Sequence, residues 1–116
     1  MAKHNKLGKE GELIAFMVLQ RDGFTILETN WRFQKAEIDI IAKKDGFLIF
    51  TEVKTRRRKE IGKQTDAIDK KKIALYKGAA KGYLEQQPSE DKIRFDLINI
   101  IIGKDETQIE HIPNAF

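Results

Sequence analysis

Asp39, Glu52 and Lys54 stand on two short runs rich in β-branched and aromatic residues, 37–42 and 47–54, separated by Lys43-Lys44-Asp45-Gly46. If the runs pair as neighbouring strands, two carboxylates and an ammonium are drawn together. Oxygen ligands at that separation suit Mg²⁺, with Mn²⁺ as its substitute, because such an ion takes one or two carboxylates and keeps several waters. The chemistry implied is metal-dependent phosphodiester cleavage, in which the cation activates water and stabilises charge on the phosphate oxygens. Lys54 would orient that water or stabilise the developing charge. Glu12, on a preceding helix, is the further acid that could reach the same place.

The element that must position this set is a hairpin. Asp45-Gly46 between two strand-like runs signals a two-residue turn of type I′, which requires φ > 0 at both central residues. Lys44 then faces Phe47, Asp39 faces Glu52 and Glu37 faces Lys54. Strict alternation puts Glu37, Asp39 and Ile41 on one face, with Glu52 and Lys54 on that face of the partner strand. Opposed residues have Cβ atoms ~4.5–5.5 Å apart and like charges there destabilise a sheet, which a bound cation would offset. A four-residue loop would leave these side chains on one face, and a three-residue loop would not.

The rest of the chain supplies helices and further strands. Gly8 to about Arg21 reads as a helix, apolar almost all round and closed by Asp22-Gly23, with Gly23 as a left-handed cap and residues 1–7 as a polar, flexible arm. Glu12 lies on one helical face with Ala15, Phe16 and Leu19, which points it inward; its plain alternative is an acid favoured by the helix N-terminus. Residues 25–32 read as a strand beside the hairpin, with Trp31 as packing, and Phe33-Gln34-Lys35 as the link. After Lys54, the run Thr55-Arg56-Arg57-Arg58-Lys59-Glu60-Ile61-Gly62-Lys63 is a basic loop. It is either solvated or a grip on phosphates, with Arg56, Arg57, Arg58, Lys59 and Lys63 as the nucleic-acid contacts.

A second helix spans about 69–87 before Pro88, with Ile73, Tyr76, Ala80, Tyr83 and Leu84 as its apolar stripe and Lys70, Lys71, Lys72, Lys77 and Lys81 as a basic surface. Gly78 and Gly82 weaken it or allow close packing on the sheet. Residues 93–102 form a strand covered on both faces, and 108–112 return as a short strand before Pro113. Asp96 is placed as a partner for Arg94 or for a basic helix, and His4 and His111 have no metal-ligand spacing. The order predicts an α/β domain over 1–116, a mixed sheet of about five strands with helices packed against it.

Lys and Arg number 22 against 18 Asp and Glu, a formal net charge of +4, which favours a polyanionic partner. With no cysteine there is neither a disulfide nor a thiolate metal site. No apolar run is long enough to span a bilayer and no signal-like region opens the chain, so the expected place is the cytoplasm, away from membranes. Serines and threonines lack a nearby histidine base, and no glycine-rich phosphate loop occurs, which removes support for nucleophilic catalysis and nucleotide hydrolysis.

Together, residues 8–15, Glu37-Ile38-Asp39-Ile40-Ile41-Ala42, Phe50-Thr51-Glu52-Val53-Lys54-Thr55-Arg56, Arg94-Phe95-Asp96 and the closing His111-Ile112-Pro113-Asn114-Ala115-Phe116 resemble the successive motifs of the YraN-type bacterial endonuclease-like proteins. The resemblance covers almost the whole chain. That family is similar to the archaeal Holliday-junction resolvases, in the PD-(D/E)XK nuclease superfamily with the restriction-endonuclease-like fold. The resemblance implies a Mg²⁺ site at Asp39 and Glu52 with the Val53 carbonyl as a further ligand, Glu12 as the helix-borne acid, and Lys54 as the catalytic lysine. It implies DNA as substrate, branched or damaged DNA in repair or recombination, and a homodimer would hold two such sites. Ala36 departs from the pattern where a glycine usually precedes the Glu-Ile-Asp triplet, and the superfamily's nominal proline is missing. Two other readings stand beside the nuclease: a non-catalytic nucleic-acid-binding module with the same fold, and a solvated sheet edge carrying cross-strand ion pairs.

Overall fold

A computed structural model describes residues 5–60 and 70–116 of the chain. Helix α1 runs Lys6–Arg21, two residues earlier than expected, because the Asn5 side chain accepts from the Gly8 N–H at 2.7 Å and caps it. Its far end closes as the sequence implies: Gly23 has φ +92°, and the Asp22, Gly23 and Phe24 N–H groups return to the carbonyls of Val18, Gln20 and Leu19. Burial on most sides does not follow. Ala15 and Leu19 are buried, but Leu13 and Met17, one turn apart, are 60% and 58% exposed. The helix packs on one face of the sheet through Ala15 and Leu19, and its Leu13 and Met17 side is left uncovered.

The strands are β1 (Thr25–Phe33), β2 (Ala36–Lys44), β3 (Phe47–Arg57), β4 (Lys92–Ile102) and β5 (Thr107–Ile112), with helix α2 (Lys70–Gln86) between β3 and β4. They form one mixed sheet in the order β1-β2-β3-β4-β5, antiparallel except for the parallel pair β3 and β4, which α2 connects. The fold is thus α/β, five strands with two helices packed against them. Asp45 (φ +52°) and Gly46 (φ +82°) both adopt the left-handed conformation that a type I′ turn requires, and Lys44 pairs with Phe47. The β2–β3 register continues as counted from the turn, ending at Ile40 opposite Thr51.

Two cores result, one on each face. Ala36, Ile38, Ile41, Leu48 and Phe50 meet Tyr76, Ala79, Ala80 and Tyr83 of α2. Ile40, Ala42, Val53, Ile98 and Ile100 meet Ala15 and Leu19 of α1. These memberships correct the strict alternation expected along β2: Ile38 and Ile41 are both on the α2 side, so the pleat slips between Ile38 and Ile40. Across β1, where Thr29 pairs with Ile40 and Trp31 with Ile38, the intervening Asn30 has φ +50°, so both strands are irregular at one level. Asp39 sits in that irregularity.

Two glycines set how closely the helices approach. A Cβ on Gly11 of α1 would lie 1.8 Å from Thr55 Oγ1, and one on Gly82 of α2 would lie 2.3 Å from the Phe33 ring. Gly82 therefore permits the close packing that the sequence offered as one of two roles, whereas Gly78 faces open space. Trp31 is packing, edge-on to Tyr83 with ring centroids 5.2 Å apart. Ala36, the departure from the family pattern, is buried in the α2-side core.

Candidate active site

Glu52 is buried and points toward α2. The Tyr76 hydroxyl donates to its Oε1 at 2.5 Å, and the Lys72 ammonium forms an ion pair with Oε2. Tyr76 is 2% exposed. Burial, followed by the charges of Asp39 and Glu52, pushes its phenol well above its ordinary pKa, so it remains a neutral donor.

Asp39 is 1% exposed and occupies the gap that opens where β2 and β3 cease to pair. Its Oδ2 accepts from the Val53 backbone N–H at 2.7 Å, replacing a ladder hydrogen bond with a side-chain one. Its own backbone N–H donates to the Tyr76 hydroxyl at 3.4 Å. One phenol thus touches both Glu52 and the backbone of Asp39, and joins the two acids that the hairpin register placed at the same level. They are not side by side on a flat face: Glu52 leans to α2, and Asp39 borders a cavity on the α1 side.

That cavity, about 350 Å³, is lined by Lys9, Glu12, Leu13, Phe16, Thr29, Asn30, Asp39 and Ile40. Glu12 is half-buried there and accepts from the Asn30 amide at 3.0 Å. The inward orientation read from helical spacing is thus met, and Glu12 and Asp39 share one cavity. Glu37 reaches Arg32, its cross-strand partner, at 3.7 Å. Among the described residues, no three of His, Cys, Asp and Glu gather as a group able to hold a metal. The two donors that the sequence singles out, Asp39 and Glu52, are both buried.

That pair fits a hard divalent cation, which needs only one or two carboxylates plus water. Both are oxygen donors in a buried place, and one already holds a cation, the Lys72 ammonium. Lys54 follows Glu52 on β3 and is half-buried. The Val53 N–H is engaged by Asp39, and the residue sits in the parallel ladder opposite Ile98.

The basic run needs correction. Thr55, Arg56 and Arg57 do not form a loop; they continue β3, paired with Ile100, Ile101 and Ile102, because parallel β4 extends that far. Arg56 is 8% exposed and is no surface phosphate contact. Arg57, Arg58 and Lys59 are exposed and, with Ile102, Gly103 and Lys104, line a basic recess of about 400 Å³. Lys63, residues 1–4 of the expected arm and Asp69 at the expected start of the second helix lie outside the described residues.

His111, which has no metal-ligand spacing, has a structural partner. Its Nε2 lies 2.7 Å from Asp96 Oδ2, and Arg94 makes a bidentate contact to the same carboxylate at 2.9 Å for each bond. The Asn114 N–H adds a further hydrogen bond at 3.2 Å. Burial alone would raise the Asp96 pKa, but the hydrogen bonds from His111, Arg94 and Asn114 and the Arg94 charge outweigh it and hold it below the usual value. This cluster fastens the chain end to the sheet, and a second fastening, Ala115 N–H to Phe95 O, brings Phe116 against Tyr76 and Phe95.

Sequence reasoning missed Lys72 and Tyr76, assigning one to a basic surface and the other to an apolar stripe. The available signal was their i, i+4 spacing, which stacks them on one helix face, together with a tyrosine in a stripe whose hydroxyl would need a partner once buried.

The family model described as "Uncharacterised protein family UPF0102" matches residues 11–100, a span that contains Glu12, Asp39, Glu52 and Lys54. The chain belongs to the UPF0102 family. It is similar to a UPF0102 protein of Flavobacterium psychrophilum, 46% identical over 116 residues that cover 100% of this chain and 98% of that one. A UPF0102 protein of Christiangramia forsetii is 47% identical with the same coverage, and one of Bacteroides fragilis is 40% identical over 100% of this chain and 96% of its own. The similarity to these UPF0102 relatives therefore includes β5 and the chain end that carry His111 and Phe116, beyond the segment the family model covers.

Proposed function

We propose that this UPF0102 chain is a metal-dependent endonuclease of the PD-(D/E)XK type, with the restriction-endonuclease-like fold, hydrolysing phosphodiester bonds in DNA. The observation that carries the reading is a pair of buried acids tied to one tyrosine where two paired strands part: the Tyr76 hydroxyl donates to the Glu52 carboxylate and accepts from the backbone N–H of Asp39, whose carboxylate charge it also feels. A protein gains little by burying acids at such a place unless a cation is to be held.

In this reading Asp39 and Glu52 hold the ion, Mg²⁺ or Mn²⁺, with the Val53 carbonyl as the further ligand that the family resemblance implies. When bound, the ion supplies a Lewis acid that neutralises charge on the scissile phosphate and activates water. Lys54 orients the attacking water and stabilises charge on the phosphate. Glu12 acts from the α1 side of the cavity it shares with Asp39. Arg57, Arg58 and Lys59 grip the phosphate backbone beyond the strand end. Branched or damaged DNA in repair or recombination is the proposed substrate class, acted on in the cytoplasm by a homodimer that holds two sites at a fixed spacing. None of the described helices is long and apolar enough to cross a membrane.

A non-catalytic nucleic-acid-binding module is the second reading, and the Lys72–Glu52 ion pair is what favours it: a protein cation already neutralises one acid. Labelled linear, single-stranded, flapped and four-way DNA, each incubated with Mg²⁺ or Mn²⁺, separates the two. Nicking of at least one substrate by the intact chain, lost in Asp39→Ala, Glu52→Ala and Lys54→Ala, is expected. Salt-dependent binding that chelator leaves unchanged, with no cleavage, would establish the module instead.

A further inference from the structure

Lys72 lies in the first turn of α2, one helical turn before Tyr76, and the two residues occupy different oxygens of Glu52: the phenol takes Oε1, the ammonium Oε2. Their exposures differ. Tyr76 is buried in the α2-side core. The Lys72 side chain is 41% exposed, against 6% for Glu52. A lysine carries its charge on a flexible four-carbon stem and is well hydrated, so its ammonium can move to solvent without disturbing the core, whereas the tyrosine cannot.

We propose that Lys72 is a built-in competitor for the metal position: its ammonium stands in for the divalent cation on Glu52 Oε2, and its charge opposes metal binding at that oxygen until it moves away. The inference rests on the metal-dependent reading above and adds a regulatory element to it. A carboxylate oxygen can accept more than one partner, but a divalent cation and an ammonium brought to the same oxygen repel each other, so metal binding bears the cost of weakening the Lys72 pair. Tyr76 holds the carboxylate in place during the exchange, because its hydrogen bond is to the other oxygen. Once displaced, the Lys72 ammonium lies in solvent at the start of α2, whose first three residues are all lysines.

Isothermal titration of the intact chain with MnCl₂, without DNA, tests this directly. Lys72→Gln is expected to bind Mn²⁺ about tenfold more tightly than the unaltered chain, and Lys72→Arg, which keeps the charge, to stay within about twofold of it. Without metal, Lys72→Gln is expected to melt at a lower temperature, since Glu52 has lost a counter-charge; millimolar Mn²⁺ should restore the midpoint. Glu52→Gln should lose binding in either background. Equal or weaker Mn²⁺ affinity in Lys72→Gln, with measurable binding in the unaltered chain, overturns the competitor role and leaves the metal site standing. No binding by the unaltered chain, Lys72→Gln or Lys72→Arg overturns the metal-dependent reading, and this inference with it.

Discussion

The Tyr76 hydroxyl donates to Glu52 Oε1 at 2.5 Å and also meets the backbone N–H of Asp39 at 3.4 Å. Tyr76→Phe removes one hydroxyl and keeps the ring in its place against Phe116. A hydrogen bond to a charged partner contributes about 1.5–3 kcal/mol, and urea unfolding should show a loss of that size. If the cleavage reading holds, kcat should fall more than KM changes, because the substitution disturbs a ligand's position and not the DNA surface.

The same tyrosine sets an alkaline limit. Its folded-state pKa is raised above that of the unfolded chain, so the stability it contributes is present below the ordinary tyrosine pKa and is lost as pH rises toward the folded value. Tyr83 is raised as well, by burial and then by the Glu28 charge. Tyrosinate absorbance at alkaline pH should therefore appear together with the loss of far-ultraviolet circular dichroism. An ordinary two-tyrosine titration in a chain that is still folded would contradict this.

Asp96 works in the opposite sense. Its pKa is lowered on folding, so its contribution is present above the unfolded carboxylate value, about 3.9, and is lost as pH falls through the folded one. Asp96→Asn keeps the shape but leaves the Arg94 guanidinium without its buried charge partner. Breaking such a pair costs about 3–5 kcal/mol. Denaturant midpoints at pH 7 should fall accordingly, and the difference between variant and parent should shrink at strongly acidic pH.

Gly11→Ala forces α1 away from β3, because the new methyl would lie 1.8 Å from Thr55 Oγ1. Overpacking of this kind costs about 1–3 kcal/mol. Adding Thr55→Ala should recover part of that loss by removing the nearest atom, which a double-mutant cycle in urea measures. An additive pair would mean that the helix does not rest on this contact.

Asp39→Asn separates structure from chemistry. An amide oxygen can still accept from the Val53 N–H, so unfolding should change by no more than about 1 kcal/mol. The loss of charge should abolish Mn²⁺ binding and cleavage together. Asp39→Ala should cost about 1–3 kcal/mol more, because it leaves that buried N–H without an acceptor.

The hairpin was legible from local chemistry. Asp45-Gly46 admits φ > 0 at both positions, and once a two-residue turn is fixed, counting outward places Ile40 opposite Thr51. The helices and the succession of strands along the chain are also properties of local residue types and spacing, and the grouping of Asp39 with Glu52 continues the turn's count one step past the last observed pair. The sequence could not show the slip in the pleat at Asp39, because it depends on Asn30 taking a positive φ on the neighbouring strand, a long-range partner with no local mark. Nor could it show that Arg56 is buried: a run of arginines reads as a loop until parallel β4 extends the sheet beside it. Lys72, Tyr76 and His111 acquire their roles only because α2 crosses over Glu52 and β5 returns beside Asp96, so their partners lie 20, 24 and 15 residues away. Spacing along one element is written in the chain; contacts made by packing one element on another are not.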